Sequence, residues 1–117
     1  MSSSDLADRK CRPYQGDEPP LQGKALEEFS EDLGEGWEIV EEHHLEKTYE
    51  MEDFRSALDF TNRVGEIAED QDHHPDIELG WGRVQLSIRT HKIEGISEND
   101  FILAAKADRA FEEMQES

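Results

Sequence analysis

The chain has 117 residues, 36% charged and 34% hydrophobic, with a formal net charge of −18 at pH 7. That length suits a single domain with one modest core, and the charge repels nucleic acid and anionic membrane surfaces alike. No apolar run approaches the roughly 20 residues of a membrane-spanning helix. Met1–Asp5 lacks an apolar signal core, and Cys11 stands alone, so no internal disulfide can form. The expectation is a cytoplasmic protein without nucleic-acid or membrane partners. Five lysines against 30 acidic residues fit either a surface adapted to high salt or an ordinary acidic protein.

Residues 1–17 are polar, contain Pro13 and Gly16, and show no periodicity. They are expected to form a flexible arm ahead of a single domain over residues 18–117. Pro19 and Pro20 can open a helix, since proline is tolerated in a first turn. Ala25, Leu26, Phe29 and Leu33 then share one face, and Gly34 and Gly36 end it. Trp37–Glu41 and Leu45–Met51 read as two strands joined by a short turn. The second alternates Leu45, Lys47, Tyr49 and Met51 against Glu46, Thr48 and Glu50. His43 and His44 fall at the turn and are expected to be solvated, because adjacent side chains there point apart.

Asp53–Asp70 carries the longest helical pattern. Phe54, Ala57, Leu58, Thr61, Val64 and Ala68 form its apolar stripe, widened by Phe60 and Ile67. Glu66, Glu69 and Asp70 crowd the carbonyl end with negative charge, an unfavourable placement that hints at function. Asp72-His73-His74-Pro75 then breaks the helix, because the residue before a proline avoids helical geometry. Ile77–Trp81 is a weak strand interrupted at Gly80, and Arg83–His91 is a clean one. Val84, Leu86, Ile88 and Thr90 face the core, with His91 on the polar side. Ser97-x-x-Asp100 is a capping-box pattern opening a last helix that buries Phe101, Ala104, Ala107, Phe111 and Met114. The order α-β-β-α-β-β-α predicts an α+β fold: a four-stranded antiparallel sheet with three helices packed on one face. Its open face and edges invite pairing with another copy of the chain.

His73, His74 and His91 admit three readings. Paired histidines beside acids can hold zinc or manganese, and Asp-His-His is similar to the motif of the Asp-His-His phosphoesterases. Their further aspartate motifs and large parallel α/β scaffold are missing here. Metal-free acid–base catalysis is the second reading, since histidine both donates and accepts protons near neutrality. In the third, the imidazoles merely cap a helix exit. Residue chemistry points to acid–base work on a small molecule that it does not identify.

The ordered set Glu69-x-x-x-His73-His74-Pro75, Trp81, Thr90-His91 and Gly95-Ile96-Ser97-x-x-Asp100-Phe101 resembles the pterin-4a-carbinolamine dehydratase family. Gly36-Trp37 and Asp53-Phe54-x-x-Ala57 extend the resemblance from about residue 20 to the end. It implies a lyase, a 4a-hydroxytetrahydrobiopterin dehydratase that converts 4a-hydroxytetrahydropterin to quinonoid dihydropterin in pterin cofactor recycling. It also implies no metal, no cofactor, and a homodimer or homotetramer. His73, His74 and His91 match the family's catalytic histidines. Glu69, Asp72, Pro75, Trp81, Thr90 and Asp100 fall where the pterin is bound, and Asp100 is equally explained as a helix cap. The alternative is a non-catalytic pterin-binding or assembly module on the same fold, linked to molybdopterin metabolism.

Overall fold

Val84, Leu86 and Ile88 alternate with Arg83, Gln85 and Ser87, and this period of two gives the sheet one apolar and one polar face. The computed structural model describes residues 6–13 and 16–116. In order it contains α1 (Lys24–Asp32), β1 (Glu38–Val40), β2 (His44–Glu50), α2 (Phe54–Gln71), β3 (Asp76–Gly80), β4 (Arg83–Ile88), a 3-10 turn (His91–Ile93) and α3 (Glu98–Glu116). The strands form one antiparallel sheet in the order β1-β2-β4-β3. Register follows the apolar pattern: Leu45 faces Ile88, Lys47 faces Leu86, and Tyr49 faces Val84. The three helices cover this face, so the α+β architecture is the expected one.

The core has two lobes. Leu45, Ile88, Ile96 and Phe101 pack with Leu26 of α1, while Tyr49, Phe60, Val64 and Leu86 pack with Ala107 and Ala110. Lys47 belongs to the inward set because α3 supplies its counter-charge. Its Nζ lies 2.8 Å from Oδ1 of buried Asp108, which also accepts from the Tyr49 hydroxyl (2.5 Å). The other oxygen, Oδ2, accepts from Trp37 Nε1 at 3.0 Å.

Several local details depart from the sequence expectation. α1 begins at Lys24 rather than at Pro19: residues 19–22 form no regular element, and Leu21 N–H bonds to Ile96 O at 2.8 Å instead of to a helical carbonyl. α2 is rotated from the expected stripe. Ala57, Phe60, Val64 and Ala68 are buried, whereas Phe54 and Leu58 are 44% and 36% exposed. His43 and His44 do not point apart. A tight turn with Glu41 and Glu42 both at positive φ brings their rings together, Nδ1 to Nδ1 at 3.1 Å.

The described part of the expected arm is packed. Leu6 and Ala7 are buried, Lys106 Nζ donates to Ala7 O (2.7 Å), and Arg9 pairs with Glu98 (2.8 Å). This explains why α3 also buries Ile102, Leu103 and Ala105, beyond the single apolar face expected of it. The remainder of the expected arm, residues 1–5 and 14–15, lies outside the described residues. Among the described residues, no helix is long and apolar enough to cross a membrane.

Candidate active site

Two corners of the chain carry the histidines. The first closes α2. Pro75 bars the helix from continuing through His74, and Asp72 turns into the left-handed conformation at φ 54°. The N–H groups of Asp72 and His73 both close on Ala68 O, the latter at 3.1 Å. Aspartate tolerates this geometry better than most residues with a Cβ. The second corner follows β4. Thr90 N–H bonds Gly95 O at 2.8 Å, the 3-10 turn bulges between them, and Glu94 sits at φ 49°. A close approach demands glycine at 95, where a Cβ would fall 2.6 Å from Pro20 Cβ.

The first turn of α3 fastens the two corners together. Asp100 is fully buried, with Oδ1 2.6 Å from His73 Nε2. Its Oδ2 accepts from Ser97 N–H (2.8 Å) and from Thr90 Oγ1 (2.9 Å). The capping function and the contact to His73 thus belong to one side chain, one oxygen each. An ionised carboxylate only accepts, so Nε2 of His73 carries the proton and a neutral ring keeps Nδ1 as acceptor. His74 Nε2 lies 2.5 Å from Glu69 Oε2. Both of these side chains are more than half exposed, and solvent screens their pairing. The ring of His91 is exposed and has no hydrogen-bond partner among the described residues. His73, His74 and His91 line one pocket of about 280 Å³, together with Asp72, Thr90, Lys92, Asn99, Arg12 and Pro13.

The model of the family described as pterin 4 alpha carbinolamine dehydratase matches residues 19–110. The chain belongs to that family. Two relatives carry the name "Putative pterin-4-alpha-carbinolamine dehydratase". The protein from Rubrobacter xylanophilus is 54% identical over 91% of this chain and 98% of its own. That from Alkaliphilus metalliredigens is 42% identical over 91% and 96%. A crystal structure described as a transcriptional coactivator/pterin dehydratase from Brucella melitensis superposes with a TM-score of 0.72. It is 27% identical and covers 77% of this chain and 96% of its own.

Within this pterin dehydratase-family chain, the residues expected at the site divide into those the fold gathers and those it does not. Asp72, His73, His74, Thr90 and His91 line the pocket, and Asp100 lies directly behind His73. Glu69 reaches the site through His74, while Pro75 lines a neighbouring groove with Glu69, His74 and Ile77. Trp81, expected to bind substrate, sits elsewhere. It is 73% exposed at the tip of the β3–β4 hairpin, whose opposite end carries the histidines. Five residues of β3 at about 3.3 Å each separate the two ends by roughly 17 Å.

His91 does reach the site, but not by the route its strand parity suggested. β4 ends at Ile88, and the 3-10 turn, not the polar face of the sheet, presents the ring. Arg12, Pro13, Lys92 and Asn99 were not among the expected site residues. The surplus apolar pair Ile102-Leu103 was the one sequence signal that something upstream covers α3. Cys11, the residue before Arg12, is partly buried, and desolvation pushes its thiol up to about 11. Among the described residues, no group of three or more His, Cys, Asp or Glu side chains is placed to hold a metal ion.

Proposed function

We propose that this chain is a lyase that dehydrates 4a-hydroxytetrahydropterin to quinonoid dihydropterin in pterin recycling, using His73, His74 and His91 as its acid–base groups. The observation that supports this most is the convergence of the three imidazoles on one pocket, with one ring locked by a buried carboxylate. The reaction moves two protons. One reaches the 4a-hydroxyl oxygen so that the C4a–O bond breaks and water leaves. The other departs from N5, whose electron pair forms the new bond to C4a. Groups that exchange protons near neutrality suit both transfers, and the reaction needs no external oxidant or reductant. Asp100 holds His73 in one orientation and one tautomer, which positions Nδ1 as a proton acceptor. The exposed rings of His74 and His91 can exchange protons with solvent between turnovers.

The pocket takes a pterin as substrate, and the chain works as a homodimer or homotetramer in the cytoplasm, where a lone cysteine persists as a thiol. Self-association is supported by exposed Phe54, Leu58, Leu79 and Trp81, and by β3 at the open edge of the sheet.

The deciding experiment is a direct dehydratase assay on a 4a-hydroxytetrahydropterin, with and without chelator. His73→Ala and His74→Ala each lose activity while still folding. His74→Ala melts as the parent protein does, and His73→Ala melts lower because it strands an oxygen of buried Asp100. Full turnover by the double variant overturns the assignment, and loss of activity with chelator revives a metal mechanism. Pterin binding without turnover leaves a non-catalytic binding module.

A further inference from the structure

The pocket has a wall that lies outside the family match. That match begins at residue 19, yet Arg12 and Pro13 line the same pocket as the three histidines. Their backbone is held at two points. Cys11 N–H donates to Gln71 Oε1 at 2.8 Å. Arg12 N–H donates to Asn99 Oδ1 at 3.1 Å, and Asn99 Nδ2 donates back to Arg12 O at 2.6 Å. The reciprocal pair fixes which way the Asn99 amide faces, and it reproduces the two bonds that one strand makes to another. Asn99 is 4% exposed, so losing either bond would strand a buried polar group.

The anchoring residues are neighbours of the catalytic candidates. Gln71 ends α2 two residues before His73, and Asn99 precedes Asp100. Residues 11–13 therefore bridge the two segments joined by the His73–Asp100 hydrogen bond. Beyond the pocket, the Arg12 guanidinium pairs with Glu18 (2.9 Å) and donates to Pro13 O (3.2 Å), bracing the wall from its solvent side. Leu6 and Ala7, buried against α3, anchor it upstream.

We propose that residues 11–13 form a substrate-binding wall of the histidine pocket, clamped there by Asn99 and Gln71, and that the pterin binds against Arg12 and Pro13. Resting on the dehydratase reading, this assigns Asn99 as a positioning residue. It acts through the backbone of Arg12 and sets substrate affinity, leaving proton transfer to the histidines. An amide is required at position 99. Alanine removes both bonds, and aspartate keeps an acceptor but sets a carboxylate against Arg12 O, while suiting the first turn of a helix.

The test measures kcat and KM on the 4a-hydroxytetrahydropterin, with the Kd of biopterin, a stable oxidised pterin, as a readout independent of turnover. Asn99→Ala and Asn99→Asp raise KM and Kd about tenfold, with kcat within about threefold of the parent. Pro13→Gly, which leaves the clamp intact, raises both in the same sense. Should Asn99→Ala fail to fold, Asn99→Asp and Pro13→Gly carry the test. Folded variants with KM and Kd within twofold of the parent overturn the proposal. So does a fall in kcat alone, which would make Asn99 a support of Asp100. A parent protein that neither turns over nor binds biopterin overturns the dehydratase reading and the wall with it. Turnover by the parent with indifferent variants overturns the wall alone.

Discussion

His73 and Asp100 are joined by a 2.6 Å hydrogen bond that spans 27 residues of sequence. It runs from the exit of α2 to the first turn of α3. The same carboxylate caps α3 through Ser97 N–H and holds Thr90, the residue just before His91. One buried side chain therefore sets the spacing between two histidine-bearing corners and starts a helix. Stability and site geometry are coupled at this residue, because buried polar groups are costly unless every partner is in place.

Replacing Asp100 separates these roles. Asp100→Asn retains a carbonyl for the cap but loses the charged acceptor for His73. Hydrogen bonds to charged groups are worth about 1.5–3 kcal/mol, so kcat/KM is expected to fall roughly 10- to 100-fold. Asp100→Ala also loses the cap and lowers the melting temperature further. Parent-level kinetics in Asp100→Asn would show that the contact is purely structural.

A second buried acid tests the scaffold without touching the site. Asp108 accepts from Lys47, Tyr49 and Trp37, tying α3 to β2 and to the chain leading into β1. Asp108→Ala leaves Lys47 facing the core without its counter-charge. The expected loss, read from urea unfolding, reaches roughly 3–5 kcal/mol. A double change, Asp108→Leu with Lys47→Met, removes both charges and is expected to recover part of that loss. An Asp108→Ala protein as stable as the parent would mean that Lys47 simply swings out to solvent.

Alkaline pH is expected to loosen the fold. Burial raises the Cys11 thiol from 9.0 to about 11, and burial beside Asp108 pushes the Tyr49 hydroxyl upward. The folded form of each holds its proton after the unfolded form has released it, so unfolding becomes easier as pH rises. For Cys11, the stabilisation is complete below pH 9.0 and is lost as pH climbs to about 11. Denaturant midpoints measured across that interval should fall, and less steeply in Cys11→Ala. The native thiol should also react slowly with iodoacetamide at pH 8, whereas fast alkylation would contradict its burial.

Salt should act in the opposite direction. Thirty acidic residues against 12 basic ones repel one another across the surface. Screening shortens the reach of that repulsion from about 10 Å at 0.1 M salt to about 3 Å at 1 M. Melting temperature is expected to rise between dilute buffer and molar potassium chloride. A flat response would identify an ordinary acidic protein, not one adapted to salt.

Periodicity was enough to read the architecture. Val84-x-Leu86-x-Ile88 and Leu45-x-x-x-Tyr49 could bury one face only as strands in register, and Ser97-x-x-Asp100 could start a helix only at that point. The histidine motif was equally legible, because Pro75 had to end α2 beside His73 and His74. Long-range packing was not. Strand parity assigned His91 to a sheet face, but β4 ends three residues earlier, at Ile88, and the Thr90–Gly95 bridge closes a 3-10 turn around His91. A local pattern could not show that Leu6 and Ala7 would cover the back of α3, nor that Asn99 would hold Arg12 in the pocket. Those contacts join residues 87 or more positions apart in the chain. Side-chain spacing encodes which face a residue turns to its neighbours, whereas the partner it meets there depends on how distant segments share one small core.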